Sequence, residues 1–197
     1  TYAGYPVRAG QAAYAESAKR SREVIQSGVF TLFKEYTDLI DPANRNQGEF
    51  IFQVQHEKDI RNNGMTPVTL PTLRGIASYS DEYGGLTPRK EFVESYEKGD
   101  KRAQEKQFFY TFYKGHPSDY PAGDPRRERL DLGGYYIYKY FDKTAIDTDA
   151  KANINFTLYR FADVLLMYAE AANRASNGPD ALAQKSLNDI RARALLA

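Results

Sequence analysis

The 197-residue sequence contains no cysteine and no tryptophan. Without thiols there is no disulfide framework, no cysteine-ligated zinc, no iron–sulfur cluster and no thiol nucleophile. Cysteine-free chains occur both inside and outside cells, so this absence leaves the compartment open. No apolar run approaches the roughly 20 residues that a bilayer-crossing helix needs. The opening residues, TYAGYPVRAGQ, have no basic-then-apolar leader pattern. Charge of one sign is lacking too: 27 Lys and Arg stand against 26 Asp and Glu, a formal net charge of +1. With no excess basic field, neither nucleic acid nor an anionic membrane surface is an expected partner. The sequence also lacks a GxGxxG turn, a Walker loop and an HExxH helix. Its two histidines are His56 and His116, and the short, proline-broken run His116-Pro117-Ser118-Asp119 cannot supply the converging roles of a nucleophile triad. Catalysis therefore has no motif to stand on.

Aromatic rings are abundant, with 16 Tyr and 11 Phe. Tyrosine joins a flat apolar body to a polar tip, which suits half-buried packing and wet binding surfaces alike. A chain of this length buries about 70% of its unfolded surface, enough for one core without staples. Residues 8–27 have amphipathic helical spacing through Ala13, Ser17, Arg20/Ser21, Val24 and Ile25, and Gly28 offers a left-handed stop. Residues 49–55 alternate with period two, Phe50, Phe52 and Val54 on one face and Ile51, Gln53 and Gln55 on the other, which predicts a strand. From His56 to Thr87 regular patterning dissolves among glycines and prolines. A long irregular stretch within a compact chain is usually functional or mobile. Residues 88–98 resume helical spacing, while QFFYTFY (107–113) and YYIYKYF (135–141) predict aromatic strands around a loop rich in Pro, Gly and charge.

The clearest pattern is C-terminal. Leu158, Phe161/Ala162, Leu165, Tyr168/Ala169 and Ala172 follow helical spacing over four turns, with Arg160, Asp163 and Asn173 opposite. Asn177-Gly178 stops that helix, Pro179 suits the start of the next, and Leu182, Leu187, Ile190 and Ala194 share a face. The two make an antiparallel hairpin of tetratricopeptide size. Tyr-Ala-Glu at 14–16 and again at 168–170 suggests that the first helix belongs to a similar unit. Among the charged groups, Arg160 and Asp163 are spaced to pair on one helix surface, and Glu170 lies seven residues beyond Asp163. Asp142, Asp147 and Asp149 offer hard oxygens to calcium but lack the glycine turn and distal Glu of an EF-hand loop. No other metal or cofactor is expected.

The run Leu158-Tyr159-Arg160-Phe161-Ala162-Asp163-Val164-Leu165-Leu166-Met167-Tyr168-Ala169-Glu170-Ala171, followed by Ser186-Leu187-Asn188-Asp189-Ile190-Arg191-Ala192-Arg193-Ala194, resembles the signature hairpin of the SusD/RagB family. Arg160, Asp163, Glu170, Asn188 and Arg191 are its structural signature residues here. Three further stretches agree in order: Tyr14 to Gln55 with Gly28, Glu49 and Phe50-Ile51-Phe52; Pro88 to Arg102 with Tyr96, Asp100 and Arg102; and Lys139-Tyr140. The resemblance implies a mainly α fold of tetratricopeptide-like hairpins with long irregular inserts and a few short strands. It implies that residues 1–197 are part of a single domain whose native N- and C-terminal portions, with the leader and its lipidated cysteine, lie outside this sequence. It further implies a surface-exposed outer-membrane lipoprotein of the Bacteroidetes that is not an enzyme. Such a protein binds nutrient glycans, or in some members peptides, for a SusC-like TonB-dependent transporter. A tetratricopeptide-like adaptor for a protein partner is the alternative outside the family.

Sugars present apolar C–H faces ringed by hydroxyls, so they suit flat rings flanked by charged and amide groups. Without tryptophan, tyrosine has to supply the rings. Within the irregular insert, residues 56–87, the expected ligand contacts are Tyr79 and Tyr83 as stacking platforms with Arg74 and Asp81 as hydrogen-bonding groups.

Overall fold

The computed structural model describes residues 10–57, 59–70, 85–115, 117, 119–142 and 152–196. Helix α1 (Gln11–Gln26) turns Ala13, Ser17, Ser21, Val24 and Ile25 away from solvent at three-four spacing, as its sequence predicts. Gly28, at φ +67°, takes the left-handed position that ends it. Helices α4 (Phe161–Ser176) and α5 (Ala181–Arg193) form the expected hairpin. Asn177 closes α4 at φ +53°, and the Asp180 carboxylate accepts the Ala183 amide at 2.7 Å to open α5. Pro179 therefore precedes the cap rather than starting the helix.

Helix α1 lies antiparallel along α4: Gln11 Nε2 donates to the Ala175 carbonyl, and Arg22 reaches Tyr168. Alanines at positions 18, 172 and 183, with Ile25, surround the sealed Tyr168 ring. Small side chains allow the helix axes to approach, so the inward seam of α5 runs through Ala183, Ser186 and Ala194. Leu187, expected on that seam, is instead 44% exposed. Tyr168 locks the three helices. Its hydroxyl accepts from Arg22 and donates to Asp180 Oδ2 at 2.6 Å, while Arg22 binds the same carboxylate at 2.8 Å. Tyr168→Phe is expected to lower stability by about 1–2 kcal/mol in urea unfolding while leaving the helical circular dichroism unchanged.

Two small antiparallel sheets flank this scaffold. Strand β1 (Phe50–Val54) pairs with β4 (Phe156–Arg160), and β2 (Phe109–Tyr113) with β3 (Leu130–Ile137). The expected helix from Leu158 thus begins at Phe161; the aromatic and β-branched run before it is strand, because Phe50–Val54 is there to pair with it. The register of β1 slips on either side of Phe52. Phe50 is buried as expected, but from the slips onward the sidedness reverses: Phe52 is 53% exposed, while Gln53 is buried and bonded to Thr157 Oγ1 and the Asn46 amide. The third expected strand starts earlier than its aromatic run, at Leu130. Two short helices complete the set, α2 (Met65–Thr69) and α3 (Lys90–Glu94), the latter much shorter than the helix expected over 88–98.

Residues Asn63 to Leu70, inside the patternless stretch, belong largely to the interior. Thr66 Oγ1 donates to the Tyr140 carbonyl at 2.7 Å, and Leu70 packs with Tyr110, Leu132 and Phe141. A second junction centres on Glu49, which is wholly buried. Its carboxylate meets the guanidinium groups of Arg160 and Arg193 and accepts the Phe33 amide at 2.9 Å. It thereby ties the start of α4 and the end of α5 to the first sheet. Close by, Asp100 is buried beneath Arg102, and the Lys101 amide donates to the Ala194 carbonyl at 2.9 Å.

Asp100 and Asp180 carry an acid sensitivity. Burial alone raises the Asp100 pKa, but hydrogen bonds from Arg102 outweigh it and hold the group below the ordinary value of 3.8. Asp180 is held low chiefly by the Tyr168 hydroxyl; outside these links, the local pair with Arg126 lowers Asp124 to about 2. A depressed folded-state pKa contributes stability above the unfolded-state value and loses it as pH falls through the folded one. Stability in urea is therefore expected to be level above about pH 5 and to fall steeply from about pH 4 downward. A flat profile from pH 6 to 3 contradicts this. Among the described residues no helix is long and apolar enough to cross a membrane.

Candidate binding site

The second sheet builds a ring-lined groove. Opposite two steps along β2, from Phe112 to Tyr110, β3 takes five steps, from Asp131 to Tyr136. The surplus is taken up around Gly133-Gly134, with Gly133 at φ +70° and its amide bonded to Asp131 Oδ1 at 2.8 Å. Only glycine adopts such a bulge without strain. The bulge opens a concavity of about 530 Å³ walled by Phe112, Tyr135 and Tyr136 with Lys90, Thr111 and Asp131. All three rings are half-buried. Arg129 lies over the Phe112 ring at 3.5 Å, and the Glu105 carboxylate holds Thr111 through its amide and its hydroxyl. Behind the rings, Tyr110 is sealed among Tyr113, Tyr136, Tyr138 and Phe141, so the groove wall rests on the core. Flat apolar plates edged by an ammonium, a hydroxyl and a carboxylate suit a ligand with both C–H faces and hydroxyl groups.

Arg74, Tyr79, Asp81 and Tyr83, the contacts expected from the sequence, lie outside the described residues. The chain around them is well placed: Leu70 is in the core, and beyond them the Leu86 amide donates to the Val68 carbonyl at 3.1 Å, with Thr87 and Pro88 lining the groove. Arg160 does not pair with the Asp163 side chain as its spacing suggested. Its guanidinium turns to Glu49, while Asp163 Oδ2 caps the helix by accepting the Arg160 amide at 2.8 Å. Glu170 pairs with Arg174 on the surface, Arg191 reaches Glu97 at 2.9 Å, and Asn188 is exposed on α5. Of the aspartates considered for calcium, Asp142 is buried and accepts the Asn153 and Ile154 amides, while Asp147 and Asp149 lie outside the described residues. Among the described residues no cluster of three or more metal-ligating side chains is present.

The sequence places Phe112, Tyr135 and Tyr136 in aromatic strands without assigning them a ligand role. The available signal was the Gly133-Gly134 pair inside an otherwise strand-like run, which marks a bulge or a close approach.

Fold and groove together define a helical-hairpin scaffold with a ring-lined groove on its second sheet. Residues 118–197 match the model of the SusD family. A crystal structure of a SusD superfamily protein from Parabacteroides distasonis superposes with a TM-score of 0.91 at 53% identity, covering 100% of this chain and 42% of that one. The chain belongs to the SusD family. It also shares its fold with surface glycan-binding protein A from Bacteroides thetaiotaomicron in complex with laminarihexaose (TM-score 0.65, 23% identity, 93% of this chain and 43% of that one). Bacteroides fragilis NanU is similar as well (TM-score 0.64, 19% identity, 94% and 39%). This chain thus spans about two fifths of the length of these solved relatives. A comparison with curated proteins finds no match.

Proposed function

We propose that this chain belongs to a non-catalytic nutrient-binding protein of the outer-membrane surface, which captures an oligosaccharide and passes it to a TonB-dependent transporter of the SusC type. The observation that carries the reading is the groove of Phe112, Tyr135 and Tyr136, edged by Lys90, Thr111 and Asp131. Its volume falls within the range of ordinary small-ligand sites, about 300–1,000 Å³. Family membership and the laminarihexaose complex of a fold relative favour a sugar over other ligands with mixed faces.

Isothermal titration of the folded chain against soluble oligosaccharides, laminarihexaose among them, tests this. A saturable heat with at least one glycan is expected, and Phe112→Ala or Tyr135→Ala each lowers affinity about tenfold, equivalent to loss of one central ring contact. No heat from any glycan, with peptides recovered from the native transporter complex in their place, overturns the reading.

A further inference from the structure

A second cavity, of about 410 Å³, lies on the other sheet, where β4 runs into α4. Lys139, Tyr140, Phe156, Arg160 and Asp163 all line it. The Tyr140 and Phe156 rings lie almost parallel, 14° apart with centroids 6.1 Å from each other, and Lys139 Nζ stands 5.6 Å from the Tyr140 centroid. The charges of this cleft do not balance. Both nearby acids among the described residues are committed: Glu49 is buried between Arg160 and Arg193, and Asp163 Oδ2 holds the Arg160 amide. Arg160 is committed to Glu49 in turn. Among the described residues no carboxylate forms an ion pair with Lys139. Lys139 is exposed as a residue, while partial desolvation and the neighbouring Arg160 draw its pKa below the ordinary lysine value, against the opposing pull of Asp163.

We propose that this cleft is a second binding site, taking a carboxylate-bearing sugar whose acid group meets the Lys139 ammonium and whose C–H face lies on the Tyr140–Phe156 ring pair. A single ammonium that lies against the Tyr140 ring and has no ion-pair partner among the described residues matches a singly charged carboxylate, whereas a phosphate dianion calls for a cluster of donors that Arg160 is not free to join. The ring pair supplies what a bare anion would not use. This site rests on the ligand class proposed above but shares no residue with the groove at Phe112, so the two are separable.

The test compares galacturonate with galactose, which differ only at C6, carboxylate against hydroxymethyl, using chemical-shift titration of the whole chain. Acetate and inorganic phosphate serve as anion-only arms, and laminarihexaose reports on the groove. Galacturonate is expected to bind about tenfold more tightly than galactose, the size of one charge-assisted hydrogen bond. Lys139→Gln removes that preference, Lys139→Arg retains part of it, and both leave the unfolding midpoint and the laminarihexaose response in place. Equal affinity for galacturonate and galactose overturns the proposal. So does acetate or phosphate binding as tightly as galacturonate, or a Lys139→Gln chain that keeps the preference. Failure of laminarihexaose alone counts against the groove and leaves the Lys139 cleft standing.

Discussion

Glu49→Ala is expected to lower the unfolding free energy by about 3–5 kcal/mol, enough to leave a domain of ordinary stability only marginally folded. The carboxylate is wholly buried and is shared by Arg160, Arg193 and the Phe33 amide. Taking two charges out of water is costly, and attraction repays that cost only while both partners remain. Alanine strands two guanidinium groups in the interior, one of them also stacked 4.7 Å from the Tyr36 ring. Glu49→Gln keeps the shape and one acceptor, so it is expected to fall between wild type and alanine. Urea denaturation followed by circular dichroism checks both variants. If Glu49→Ala unfolds within about 1 kcal/mol of wild type, the junction of the hairpin with the first sheet lies elsewhere.

Tyr110 is the second position of large effect. It is fully buried and touches the rings of Tyr113, Tyr136, Tyr138 and Phe141 in edge-on or tilted contacts. Truncation to alanine removes a large side chain and leaves a cavity, at a cost of about 3–5 kcal/mol. The hydroxyl behaves differently, because it has no hydrogen-bond partner among the described residues. Removing a buried unsatisfied polar atom without changing the ring relieves a desolvation penalty. Tyr110→Phe is therefore expected to match or exceed wild-type stability by thermal unfolding, and a clear loss contradicts the packing described here. Tyr136 also lines the groove, so Tyr110→Ala is further expected to weaken oligosaccharide binding, whereas Tyr110→Phe leaves it intact.

The helical scaffold was the legible part of the chain. Alanine content and three-four spacing mark α1, and Asn177-Gly178-Pro179-Asp180 marks the turn of the hairpin, since these residues act through local backbone preference. Strand sidedness in β1 was not legible, because a register slip beside Phe52 depends on a partner more than 100 residues away. The start of α4 was misplaced for a related reason: Phe156–Arg160 fits helical spacing well enough until β1 claims it. Asp163 also illustrates the limit. Spacing shows that it can approach Arg160, but only the tertiary position of Glu49 shows that the guanidinium goes elsewhere.

The groove was half legible. Two aromatic runs and the Gly133-Gly134 pair are plain in the sequence, yet their convergence depends on a bulge whose size is set by pairing across the sheet. The expected contacts at Arg74, Tyr79, Asp81 and Tyr83 lie outside the described residues.

Hydrogen exchange with and without a bound oligosaccharide tests the capture surface most directly. The amides of residues 85–90, 109–113 and 130–137 are expected to gain protection together on binding, while those of α1, α4 and α5 stay unchanged. Protection confined to the exposed flank of the helical hairpin, with residues 130–137 exchanging as before, would contradict the account.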